Sequence, residues 1–202
     1  MNIICFGDSI TQAAGAAEIE QWPMLLQLKL EAASPGTHKV FNRGVGGDTT
    51  PQALRRIGEQ VLPLLPGLVL VEFGINDRGN KDWIGVEWVS LHEYERNLAA
   101  IYNSVQRKGG RTAFLVNHPL QSEPVHPVRD DLTLAGAEHP YDKAIRRVAK
   151  KLKAPLIDLP RLLRAQKVQA RQFLCADGCH LSPEGNSHYA EAVFRGLTGI
   201  LG

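Results

Sequence analysis

The sequence predicts an α/β fold, a three-layer α/β/α sandwich with helices on both faces of a parallel sheet, and three observations lead there. Short apolar runs rich in β-branched residues alternate strictly with longer stretches whose apolar residues recur three and four apart. Strand, helix, strand in succession needs crossover connections, which are right-handed and leave the strands parallel. The 12 prolines and 19 glycines punctuate the segments rather than pooling into a linker, so the 202 residues read as a single domain.

Taken in order, the strand signals lie at residues 2–6, 39–41, 68–73, 112–116 and 155–157, five in all. The first helical pattern covers residues 22–33. A second starts at Thr50-Pro51, proline suiting a first helical turn, and places Leu54, Ile57, Val61 and Leu62 on one face. A third opens with the capping-box pair Ser90 and Glu93 and continues through Tyr94, Leu98, Ile101 and Val105. Tyr141, Ile145, Val148 and Leu152 make a fourth, residues 160–168 a weaker fifth, and Ser182-Pro183 caps a last one carrying Tyr189, Val193 and Leu197.

Composition excludes several function classes. A formal charge of +2 is too small to imply a polyanionic partner, and Lys143, Arg146, Arg147, Lys150, Lys151 and Lys153 read as a solvated helix face, so no nucleic-acid partner is expected. The opening apolar run reaches Gly7 and Asp8 with no basic segment or small-residue cleavage site, and no run approaches the ~18–20 residues of a spanning helix. A cytoplasmic protein without integral membrane association is expected. Three cysteines do not make a disulfide framework, and Cys175, Cys179 and His180 lack the paired spacings and fourth ligand of structural zinc. No metal and no cofactor are expected.

In open α/β sheets ligands bind outside the carboxyl ends of the strands, so the residues that follow each strand carry the functional signal. After the first comes Gly7-Asp8-Ser9-Ile10-Thr11; after the second, a glycine-rich loop, Gly44-Val45-Gly46-Gly47-Asp48-Thr49; after the third, Gly74-Ile75-Asn76-Asp77. Asp177-Gly178-Cys179-His180 precedes the last helix. The glycine loop fits neither the dinucleotide fingerprint nor a phosphate-cradling loop. Singly, each segment has a structural explanation, as a helix cap, a turn or a surface pair. Together they supply what acyl transfer needs. A serine hydroxyl (Ser9) requires a base; a neutral imidazole (His180) is one, and a carboxylate (Asp177) on its other nitrogen fixes the tautomer. The oxyanion of the tetrahedral intermediate needs donors, which the Ser9 backbone N–H, a backbone N–H of the glycine loop and the Asn76 side-chain amide can provide.

The four blocks G-D-S-I, G-G-D-T, G-I-N-D and D-G-C-H, in this order between residues 7 and 180, resemble the SGNH hydrolases, also called the GDSL esterase and lipase family. The resemblance implies a flavodoxin-like five-stranded parallel sheet of order 2-1-3-4-5, Ser9 as nucleophile, Asp177 and His180 as the rest of a catalytic triad, and Ser9, Gly47 and Asn76 as the oxyanion hole. Gly47 rather than Gly46 is assigned by that resemblance alone. The nucleophile does not sit in a G-x-S-x-G elbow, which disfavours the other large α/β-hydrolase architecture.

The expected activity is a serine esterase or acylhydrolase that cleaves a small-molecule carboxylic ester with a short to medium acyl group through an acyl-Ser9 intermediate. Thioesterase or lysophospholipase-type activity at the same site is the alternative within the family. A non-catalytic flavodoxin-like anion-binding module is the alternative outside it. Asp8, Trp83 and His118 are candidate substrate contacts, and the long connection over residues 117–140 is expected to wall the pocket.

Overall fold

The computed structural model describes residues 1–79, 88–120 and 139–201. Strand β1 (Asn2–Gly7) leads into a four-residue helix α1 (Ser9–Gln12), a 3₁₀ turn and helix α2 (Trp22–Ala33). Next come β2 (Lys39–Gly44), α3 (Thr50–Gln60), β3 (Gly67–Glu72), α4 (Leu91–Arg107), β4 (Arg111–Val116) and α5 (Pro140–Leu152). β5 (Leu156–Asp158), α6 (Leu159–Ala165), α7 (Ala170–Phe173) and α8 (Pro183–Leu201) complete the order. The strands form one five-stranded sheet in the order β2-β1-β3-β4-β5, and every pairing is parallel.

Period-two alternation divides the inner strands between two cores. Ile3 and Cys5, Leu68 and Leu70, Ala113 and Leu115 face a cluster closed by α2, α6 and α8, whereas Ile4 and Phe6, Val69 and Val71, Phe114 and Val116 face one closed by α3, α4 and α5. These strands are continuously apolar because both faces are covered. Two helices start on the expected caps, the Ser90 hydroxyl accepting the Glu93 N–H and Ser182 that of Gly185, and Thr49 adds a reciprocal capping box with Gln52.

Three boundaries differ from those expected. β2 runs on to Gly44, because an edge strand needs no apolar residues to pair, and Cys5 and Asn42 face each other in the ladder. Ser9 opens a short helix that was not among the expected ones; four residues are too few to show periodicity, and α1 owes its start to Asp8, whose Oδ1 accepts the Ile10 N–H. The weak helix expected over residues 160–168 is α6, capped by Asp158 and ended at Ala165, and the short α7 follows it beyond that range.

Candidate active site

β1 ends where α1 begins, so Ser9 stands at the carboxyl end of β1, between β2 and β3 in the sheet. Close packing fixes α1 there: a Cβ at Gly44 would lie 2.0 Å from the Gln12 backbone nitrogen, so only glycine lets β2 pass. Trp22 adds a tie from α2, its indole N–H donating to the Ile10 carbonyl at 2.8 Å.

The loop over residues 174–182 carries the imidazole across the chain to Ser9. An antiparallel bridge between Leu174 and Leu181 closes its base, and the Cys175 N–H donates to the His180 carbonyl. At its tip Asp177 Oδ1 accepts the N–H groups of Cys179 and His180, both at 2.9 Å, while Oδ2 lies 2.6 Å from His180 Nδ1. His180 Nε2 lies 3.0 Å from Ser9 Oγ. A carboxylate can only accept, so the proton is on Nδ1 and the Nε2 lone pair accepts the Ser9 hydroxyl. Partial burial works to raise the Asp177 carboxyl, but the His180 ring and the two backbone N–H groups outweigh it and hold it below the usual carboxylate range. The chain of hydrogen bonds that nucleophilic acyl transfer requires is thus complete, from hydroxyl to imidazole to carboxylate.

On the other side of Ser9 runs the glycine loop. A Cβ at Gly46 would lie 3.9 Å from the Ser9 Cβ, and Gly47 adopts φ 79°, the left-handed region that favours glycine. Asn76 donates one amide hydrogen to the Asp48 carbonyl at 2.9 Å. A side-chain amide carries two donors, and no acceptor for the second is found among the described residues. Asp77 secures the same junction by accepting from the Thr50 N–H and hydroxyl. Arg56 ties the strand ends together: Nε pairs with Asp48 Oδ2 at 2.5 Å, and its other nitrogens donate to the carbonyls of Gly7 (2.8 Å) and Arg43 (2.9 Å). Ser9, His180 and Asp177 open onto a cavity of about 320 Å³ that Ala13, Ala14, Gly15 and Ala16 also line.

The sequence pattern of the GDSL-like Lipase/Acylhydrolase family matches residues 5–188. The chain belongs to that family. This GDSL-like hydrolase is 28% identical to the "Esterase TesA" of Pseudomonas aeruginosa over 114 residues, which span 56% of this chain and 53% of that protein. It is 24% identical to the "Uncharacterized lipoprotein YqeF" of Bacillus subtilis over 221 residues, covering 97% of this chain and 87% of that one. Its fold superimposes on the crystal structure of the lipase/acylhydrolase from Enterococcus faecalis with a TM-score of 0.76 at 25% identity, covering 98% of this chain and 96% of that one.

Of the residues singled out in the sequence of this GDSL-like hydrolase, the fold brings Ser9, Asp177 and His180 into one hydrogen-bonded chain and sets the glycine loop beside them. Two of the candidate substrate contacts are corrected. Asp8 is fully buried and caps α1, so its carboxyl group faces the interior. His118 is 1% exposed, packed against Phe173 and Tyr189, and its Nε2–H donates to the Cys179 carbonyl at 2.9 Å. Burial pushes this imidazole down to about 4, so it is neutral and supports the His180 loop from below. Trp83 and most of the connection over residues 117–140 lie outside the described residues. Arg56 and the small-residue wall at residues 13–16 were missed, since neither an arginine inside a helix nor a run of alanines signals a site. Among the described residues no His, Cys, Asp and Glu group could hold a metal ion, and no helix is long and apolar enough to cross a membrane.

Proposed function

We propose that this protein, acting as one domain, is a serine esterase that cleaves small-molecule carboxylic esters with short to medium acyl groups through an acyl-Ser9 intermediate. The observation that carries the reading is the hydrogen-bonded chain from Ser9 Oγ through His180 to Asp177, opening onto the alanine-walled cavity. His180 Nε2 takes the hydroxyl proton as Ser9 Oγ attacks the ester carbonyl, and Asp177 stabilises the imidazolium that forms. The N–H groups of Ser9 and Gly47 and the second amide hydrogen of Asn76 receive the negative charge that develops on the carbonyl oxygen. Protonated His180 then hands its proton to the leaving alkoxide, and in the second half of the cycle it activates the water that releases the acid.

The cavity supports the acyl preference: small side chains at residues 13–16 leave room beside Ser9 without offering polar partners. A cytoplasmic location, with no nucleic-acid partner, belongs to the same reading and is supported by three free thiols. Recovery in the membrane fraction, as the name of the Bacillus relative would lead one to expect, would overturn that part.

The test is a fluorophosphonate probe, with the adduct mapped by mass spectrometry. Labelling is expected at Ser9 and is expected to vanish in Ser9→Ala and to slow strongly in His180→Ala. An unlabelled Ser9, or a labelling rate untouched by His180→Ala, sinks the reading. On p-nitrophenyl esters, hydrolysis is expected to favour short and medium chains and to drop for long ones.

A further inference from the structure

Beneath Ser9 lies a pair of carboxyl groups that the reaction above does not use. Asp8 is completely buried and Glu72, the last residue of β3, is 1% exposed. Each holds α1 with one oxygen: Asp8 Oδ1 accepts the Ile10 N–H, and Glu72 Oε2 accepts the Thr11 hydroxyl, both at 2.9 Å. Their remaining oxygens, Asp8 Oδ2 and Glu72 Oε1, are buried and meet no donor among the described residues. Gly7 and Glu72 are register partners on β1 and β3, so Asp8, the next residue, and Glu72 bring their carboxyl groups together under the same turn of α1.

The groups that face this pair do not neutralise it. From beyond β3, Asp77 adds negative charge. Arg56 attracts Asp8 from α3, but its hydrogen bonds go to Asp48, Gln60 and the carbonyls of Gly7 and Arg43. The others are protonated, uncharged groups: the phenols of Tyr94 and Tyr189 and the thiols of Cys5 and Cys179. Burial, then mutual repulsion, hold Asp8 well above the carboxylate range, and burial raises Glu72 to about 7. Two carboxylates in contact without a cation between them cannot both be ionised at modest cost.

We propose that Asp8 and Glu72 share one proton, and that the acid–carboxylate hydrogen bond so formed positions Ser9 against His180. The idea rests on the esterase reading. The proton sits between the two outer oxygens, bonded to one and donated to the other. When it leaves for solvent, two anions face each other, and the strain is relieved only if a carboxylate turns away. Turning Asp8 releases the Ile10 N–H; turning Glu72 releases Thr11. Either frees α1, and with it the 3.0 Å contact between Ser9 and His180. A displacement of about 1 Å can cost ~10²-fold in rate. Both acids are therefore positioning residues, and alkaline inactivation should precede unfolding.

The experiment compares the wild-type protein with Glu72→Gln. The glutamine amide donates to Asp8 at every pH, and its oxygen still accepts from Thr11. The expected result is a kcat within about threefold of wild type at neutral pH, maintained through the alkaline range where wild-type kcat falls by about tenfold or more at nearly constant KM. The wild-type infrared spectrum should contain a protonated-carboxyl carbonyl band that Glu72→Gln lacks and that titrates with the loss of kcat. Superimposable pH profiles, or a band unchanged by the substitution, overturn the proposal. Should Glu72→Gln not fold, Asp8→Asn sets the same donor opposite Glu72 and carries the same expectations. The infrared measurement needs no substrate. An active enzyme without the titrating band refutes the shared proton alone; a band in a protein that neither hydrolyses esters nor reacts with the fluorophosphonate removes the positioning role together with the esterase reading.

Discussion

The two halves of the site are built differently. Ser9 stands on the sheet, its helix capped by buried Asp8, braced by buried Glu72 and flanked by strand ends that Arg56 and Asp77 tie together. Asp177 and His180 stand on a loop, each with about half of its side chain exposed (49%), held by the turn that Asp177 makes with its own backbone and by His118 below. A nucleophile gains from rigid placement, because its oxygen must meet both base and substrate. A base must accept and release a proton twice per cycle, which suits a group open to solvent on one edge. The difference predicts that substitutions at the exposed Asp177 and His180 injure catalysis with little change in stability, and that those which break the buried ties on the sheet side injure both.

The largest effect should come from the loop. Asp177→Asn is expected to lower kcat on the order of 10⁴-fold, because the amide no longer fixes the Nδ1–H tautomer that leaves Nε2 free to accept. Its melting temperature should stay within about 2 °C of wild type, since exposed pairs contribute little; a large fall in calorimetry would break the contrast. On the sheet side, Asn76→Ala is expected to reduce kcat by ~10²–10³-fold with a smaller change in KM, the signature of a lost oxyanion donor. An unchanged kcat for p-nitrophenyl acetate would remove Asn76 from that role.

How much of this was legible depends on whether a residue's task is local. The layers followed from the alternation, because apolar patterning is written wherever a strand is covered on both sides, whereas the sheet order followed from the family resemblance that the four blocks carry. Ser9, Asp177 and His180 stood out because each follows or precedes an element end, where a polar residue needs a reason. The buried support did not. Asp8 is adjacent to Ser9 in sequence, yet nothing in the sequence distinguishes an acid facing substrate from one facing the interior. Glu72 did leave a trace, as the charged residue in the apolar run 68–73, but its partner's role was needed to interpret it. His118 and Cys179 are 61 positions apart, and a hydrogen bond to a carbonyl leaves no side-chain signature.

A sheet-side effect of intermediate size tests Arg56. Its ion pair with Asp48 is mostly buried (11% and 10% of the side chains exposed), so Arg56→Met should strand the carboxylate and free two strand-end carbonyls. A loss of about 3 kcal/mol is expected, seen as a fall of roughly 6–12 °C in melting temperature. Unchanged thermal unfolding would show that the strand ends hold without the clamp.

The smallest effect separates the halves by pH, because a buried group on the sheet side, Glu72, and one on the loop side, His118, have opposite proton uptake on folding. Glu72, raised from 4.5 to about 7, binds a proton in the folded protein that the unfolded chain has lost, so its contribution is complete below about 4.5 and disappears as pH rises through 7. His118, lowered from 6.5 to about 4, is neutral in the folded protein where the unfolded chain is protonated, so its contribution is complete above 6.5 and disappears as pH falls through 4. Between pH 4.5 and 6.5 the two slopes have opposite signs, each at most about 1.4 kcal/mol per pH unit. Stability by urea unfolding should then rise with pH more steeply in Glu72→Gln than in wild type, and less steeply, or fall, in His118→Phe. Parallel pH dependences in all three proteins would mean that neither buried group titrates as its surroundings dictate, and the assignment of a proton-holding sheet side and a proton-refusing loop side would not stand.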